Sequence, residues 1–97
     1  HQQLSKWQRK QFAHIVPDFV IEVRSPSDNI QDLKNKMSDV WIANGVRLAW
    51  LIDVESETVW IYRPKTNEEE LTGFDNQLSG EEVLPGFVFD LGVLKES

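Results

Sequence analysis

Two acids and two lysines carry the chemistry within reach of this sequence. Asp18 and Glu22 lie in the run Pro17-Asp18-Phe19-Val20-Ile21-Glu22-Val23-Arg24-Ser25-Pro26-Ser27, and Lys34 and Lys36 follow it. Carboxylates plus a lysine suit phosphodiester hydrolysis assisted by Mg2+ (or Mn2+). Hard oxygen ligands hold the ion, while ion and ammonium together stabilise phosphate charge and activate a water. Other kits are missing. The chain has no cysteine, which removes a thiol nucleophile, a disulfide framework and a thiolate zinc site. Its two histidines, His1 and His14, are too few and too far apart for a His-rich metal site. No serine sits in a nucleophile elbow, and no glycine-rich phosphate loop is present.

Spacing limits what the two acids do together. On one strand, Asp18 and Glu22 stand about 13 Å apart. Neither is expected to share an ion with the other unless a further ligand intervenes, so Glu22 needs a carboxylate from elsewhere. Asp18, Val20, Glu22 and Arg24 share one strand face, and Phe19, Ile21 and Val23 share the other. Charges on such an apolar strand are costly unless paired or metal-bound. The plainer reading is an edge strand with a solvated face, or a buried Glu22–Arg24 pair. The two lysines stay undecided by spacing, because Lys34 and Lys36 border opposite edges of one apolar helix stripe. Either one could simply snorkel at that border. Trp41, Trp50, Trp60 and Tyr62 could form a base-stacking surface, but their positions on a helix stripe, a buried strand and a hairpin favour core.

The elements that must position these groups read in order. Strand 19–24 is rich in Val, Ile and Phe and is bounded by Pro17 and Pro26. Ser25–Asn29 is a turn, and Asp28 with Gln31 resembles a capping box. A helix over 29–43 follows, with Ile30, Leu33, Met37, Val40, Trp41 and Asn44 on one face and Asn44-Gly45 as its stop. Val46–Asp53 reads as a strand buried on both faces, and Thr58–Tyr62 as its hairpin partner. Residues 68–80 are acidic and loop-like, with a short edge strand at Glu70–Thr72, and Phe89-Asp90-Leu91 makes a last short element. The order strand, helix, strand, strand predicts a mixed α/β sheet whose first crossover is a right-handed parallel βαβ unit. Residues 1–16 form a polar arm or a short helix capped by Ser5.

Length and charge bound the rest. Residues 1–97 make a single domain with a modest core. No apolar run approaches the roughly 20 residues of a membrane span. With no signal-peptide pattern and no cysteine, a cytoplasmic protein is expected. The chain opens on His1 and has its only methionine at Met37, so it is expected to be part of a longer protein. The formal charge is −6. Residues 1–36 hold six bases against four acids, whereas residues 53–97 hold three bases against eleven acids. Such an acidic balance leans against nucleic acid, which draws affinity from Lys and Arg. Any such surface belongs to the N-terminal third or to a segment before it.

The blocks P-D-F-V-I-E-V-R-S-P-S-D (17–28), D-L-K-N-K (32–36), N-G-V-R-L-A-W-L-I-D (44–53) and V-W-I-Y-R-P (59–64) come in a telling order. With the tail L-S-G-E-E-V-L-P-G-F-V-F-D-L (78–91), they resemble the Uma-type putative restriction endonuclease family of the PD-(D/E)XK nuclease superfamily. The resemblance covers about residues 12–94. It implies a restriction-endonuclease-like mixed sheet, here its C-terminal half, and an Mg2+-dependent endonuclease that cleaves DNA phosphodiester bonds. Glu22 would be the metal-binding acid of the second active-site strand. The lysine often kept two residues later is here Arg24, and Lys36 stands at the matching position on the following helix. Asp18 matches the Pro-Asp that opens the strand, as a second metal-binding and catalytic acid or as a structural one. Many members have Tyr where this chain has Val40. Family members are also longer, and the preceding part would bring a strand with its own Asp as the partner of Glu22. Residues 1–97 alone are therefore expected to be inactive. The alternative is a nuclease-fold module without catalysis, used for binding or assembly, which the acidic charge favours. A third reading is a structural α/β half that forms a homodimer through an exposed sheet edge.

Overall fold

A computed structural model describes residues 16–96. The arm or helix expected over 1–16 lies, but for Val16, outside the described residues.

The strands are β1 (Phe19–Val23), β2 (Leu48–Asp53), β3 (Thr58–Tyr62), β4 (Glu69–Thr72), β5 (Gln77–Ser79) and β6 (Val88–Asp90). One helix, α1 (Ile30–Lys36), links β1 to β2, and a 3-10 segment, Leu91–Glu96, follows β6. The expected mixed α/β sheet is present, in the order β1-β2-β3-β4. The helical crossover leaves β1 parallel to β2, with Glu22 opposite Leu51, and the β2–β3 hairpin is antiparallel. A separate antiparallel pair, β5–β6, carries Leu78 opposite Phe89.

Period-two alternation splits the core into two layers on either side of β2, whose six residues are all buried. Leu48, Trp50 and Ile52 meet Val59, Ile61, Phe74, Leu78 and Leu91 on one face. On the other, Ala49 and Leu51 meet Trp60, Tyr62, Met37 and Val46, beneath Ile30, Leu33, Trp41 and Ile42. Phe19 joins the first layer, edge-on to Trp50 with ring centroids 4.8 Å apart, and Val20 joins the second. The two faces read from β1 thus look in opposite directions. Trp50, Trp60 and Tyr62 are core, and Trp41 is half-buried.

Several expectations need correction. The helix expected over 29–43 is α-helical only to Lys36. It continues as a π turn over Met37–Trp41 and a 3-10 turn over Ile42–Asn44. A π turn holds one residue more than an α turn, so the downstream face rotates. Ile42 packs inward and Val40 is left 45% exposed. Gly45, at φ +110°, ends the run in a left-handed conformation that would strain any residue with a Cβ. The cap is Asn29, whose side chain accepts from the Asp32 N–H, rather than Asp28. The Asp28 carboxylate turns back to accept from the Ser25 N–H and hydroxyl, which holds it below the usual carboxylate range. The strand read as Val46–Asp53 begins at Leu48, and the acidic loop 68–80 contains β5 as well as β4.

Candidate active site

Strand alternation turns Glu22 toward the helix-covered face of the sheet. There its Oε2 lies 2.9 Å from Lys36 Nζ and accepts a 3.0 Å hydrogen bond from the Trp41 indole N–H. The Lys36 ammonium also stands 5.8 Å from the Trp41 ring centroid, within cation–π reach. The Glu22 side chain is 23% exposed and that of Lys36 is 44% exposed. The cluster therefore opens to solvent and is not a sealed core pair.

Lys34 goes elsewhere. Its Nζ pairs with Glu68 Oε2 at 3.3 Å and lies 4.8 Å from the Trp60 ring centroid. Glu68 also accepts a 2.6 Å hydrogen bond from the Tyr62 hydroxyl, and Trp60 donates to Glu70. Burial first, and the Glu68 contact second, raise the Tyr62 pKa above its ordinary value of 10.0. The choice left open by helix spacing is thus geometric: Lys36 reaches the strand acid, and Lys34 braces the hairpin.

Arg24 does not pair with Glu22. Its Nη1 lies 3.3 Å from Asp53 Oδ2 and 3.9 Å from Glu55 Oε1, and its Nε donates to the Asp28 carbonyl. The buried Asp53 is further satisfied by the Ser56 hydroxyl and the Glu55 N–H. Arg24 leaves the face of Glu22 because β1 has ended and the chain is turning toward α1.

Asp18 is not drawn into the cluster. It is exposed, and only its backbone carbonyl is engaged, by the Arg47 and Leu48 N–H groups. Among the described residues its carboxylate has no hydrogen-bond or ion-pair partner. Nor do any three acidic or histidine side chains gather, among the described residues, as a metal site would need. Glu22 offers one carboxylate, and its Oε2 already holds a cation and an N–H donor. A divalent ion needs several oxygen ligands, so residues 16–96 do not fit one by themselves.

Trp41 is the member of this cluster that sequence reasoning did not place there. Its signal was hidden, because in an α-helix residues 36 and 41 project about 140° apart. An opening lined by Phe74, Asp75, Asp90, Gly92, Val93 and Lys95 lies elsewhere, beside the 3-10 segment. Among the described residues no helix is long and apolar enough to cross a membrane.

No curated protein matches the chain. Among solved structures, it is similar to a putative nuclease of the family DUF820 from Anabaena variabilis. The two are 25% identical with a TM-score of 0.72, and the match covers 82% of this chain. It covers 44% of that protein, so the chain spans less than half of its relative's length. This likeness fixes the mixed α/β fold as nuclease-like. A family model described as a putative restriction endonuclease matches residues 1–92, and the chain belongs to that family, Uma2.

Proposed function

We propose that the protein is part of an endonuclease acting on DNA phosphodiester bonds, and that residues 16–96 carry one acid and the cation of its site. The observation that supports this reading is the 2.9 Å approach of Lys36 Nζ to Glu22 Oε2 across the β1–α1 crossover. An ammonium beside a carboxylate at a solvent-open edge can hold a phosphate oxygen and orient an attacking water. Glu22 is the acid assigned to Mg2+ or Mn2+, with Asp18 as an outlying helper. A bound divalent ion would polarise the phosphate and lower the pKa of its water. Its remaining carboxylate must come from outside residues 16–96, so these residues alone are expected to be inactive.

The test is cleavage of plasmid DNA by the full-length protein with Mg2+ and with chelator, beside Glu22→Gln and Lys36→Ala. Mg2+-dependent nicking that both substitutions abolish supports the assignment. Unchanged cleavage in both variants removes it.

A second reading is a nuclease-fold module that binds or assembles without cutting. The neutralisation of Glu22 by Lys36 favours it. Calorimetric titration with Mn2+ separates the two: the module would take up no ion that Glu22→Gln abolishes.

A further inference from the structure

We infer that Trp41 is a positioning residue that orients the Glu22 carboxylate, and that the π turn over Met37–Trp41 is what delivers it there. The inference rests on the reading of Glu22 as a site acid. Its geometric core is independent of that reading.

Three observations converge. The indole N–H of Trp41 and the ammonium of Lys36 both meet Oε2 of Glu22, at 3.0 and 2.9 Å. Among the described residues neither contact involves Oε1, so both partners fix the same oxygen of a carboxylate whose side chain is partly exposed. Second, Trp41 is the last residue of a five-residue π turn that begins just after Lys36. A π turn closes between residues five apart. Lys36 and Trp41 therefore come to one side of the helix, where α geometry would set them about 140° apart. Third, the turn has a visible cost, since it leaves Val40 exposed. Such turns recur at functional sites, where an extra residue re-aims a side chain.

Trp41 also differs from an ordinary core tryptophan. Trp50 is fully buried, and among the described residues its indole nitrogen has no partner. Trp41 is half-buried, with its one donor on a partly exposed acid. Its ring shields one side of the Lys36 ammonium, so a single residue holds both charged members in register.

The test uses the full-length protein in two arms. In the first, two-dimensional NMR follows the tryptophan indole N–H signals, with that of Trp41 assigned by its loss in Trp41→Phe. Glu22→Ala should shift the Trp41 signal and leave those of Trp50 and Trp60 in place. An unmoved Trp41 signal overturns the inference, whether or not the protein cleaves DNA. In the second arm, Trp41→Phe keeps the ring and removes the N–H. It should lower kcat about tenfold with KM held, the scale of one hydrogen bond to a charged group. A merely structural role would not lower kcat while leaving both KM and the unfolding midpoint in place. A Trp41→Phe protein with wild-type kcat overturns the inference. A wild type that cleaves nothing removes the nuclease reading instead, and the spectrum then decides the role of Trp41 alone.

Discussion

Lys34 and Lys36 stand two residues apart in α1, yet their ammonium groups go to different acids. Lys34 reaches Glu68 at 3.3 Å, and Lys36 reaches Glu22 at 2.9 Å. The first contact joins the helix to the segment leading into β4. The second joins it to β1. The two borders of the helix's inner stripe thus reach different elements, one bracing the β3–β4 side and the other meeting Glu22.

The division predicts a double dissociation. Lys34→Ala should lower stability by about 0.5–1 kcal/mol, the worth of a partly exposed ion pair with a cation–π contact. It should leave cleavage by the full-length protein intact. Lys36→Ala should change stability little and reduce cleavage by at least about a hundredfold. Urea unfolding and plasmid nicking on both variants check this, and a reversed pattern would sink the assignment.

Arg24 should be a structural residue. It neutralises the buried Asp53 and ties the turn after β1 through the Asp28 carbonyl. Its side chain is 22% exposed, so Arg24→Ala should cost about 2 kcal/mol, less than a fully buried pair. The shift in denaturant midpoint measures it. A change below about 0.5 kcal/mol would place Arg24 among ordinary surface charges.

Tyr62 predicts an alkaline limb of the stability curve. Burial, followed by the Glu68 hydrogen bond, raises its folded pKa above the ordinary 10.0. The folded state therefore keeps the phenol proton where the unfolded chain gives it up. This contribution is fully present below pH 10 and is lost as pH climbs from there through the folded pKa. Tyr62 is the chain's single tyrosine, so tyrosinate absorbance reads it without overlap. An unfolding-free titration at the ordinary value would refute the shift. Tyr62→Phe should flatten the alkaline limb.

Gly80 offers a packing test remote from Glu22. A Cβ there would fall 2.6 Å from the Leu84 carbonyl oxygen and 2.7 Å from Leu84 Cβ. Gly80→Ala must shift backbone in the turn between β5 and β6, at a cost of about 1–3 kcal/mol. Gly73→Ala meets nothing within 4 Å but carries φ +94°, so its cost is backbone strain alone. Thermal unfolding should rank Gly80→Ala as the more harmful.

Much of this architecture was legible from residue order. Phe19–Val23 and Thr58–Tyr62 declare themselves by β-branched and aromatic runs, and Leu48–Asp53 by an apolar stretch too short for a helix. Strand pleat alone put Glu22 and Phe19 on opposite faces. The short β5 escaped because Gln77-Leu78-Ser79 has one apolar residue. It becomes a strand only by pairing with β6, where Leu78 meets Phe89.

Residue types and spacing determined that this chain holds an acid on a strand and lysines on the next helix, because both periods are local properties of the backbone. Only the tertiary structure decided their partners. Lys36, not Lys34, faces Glu22 because the crossover sets α1 against β1 and β2 at one rotation, with Glu68 waiting beside Lys34. Arg24 left Glu22 for Asp53 because the strand ended beneath it. Trp41 reached Glu22 through a π turn, whose extra residue shifts the helical phase that any periodic reading must assume constant.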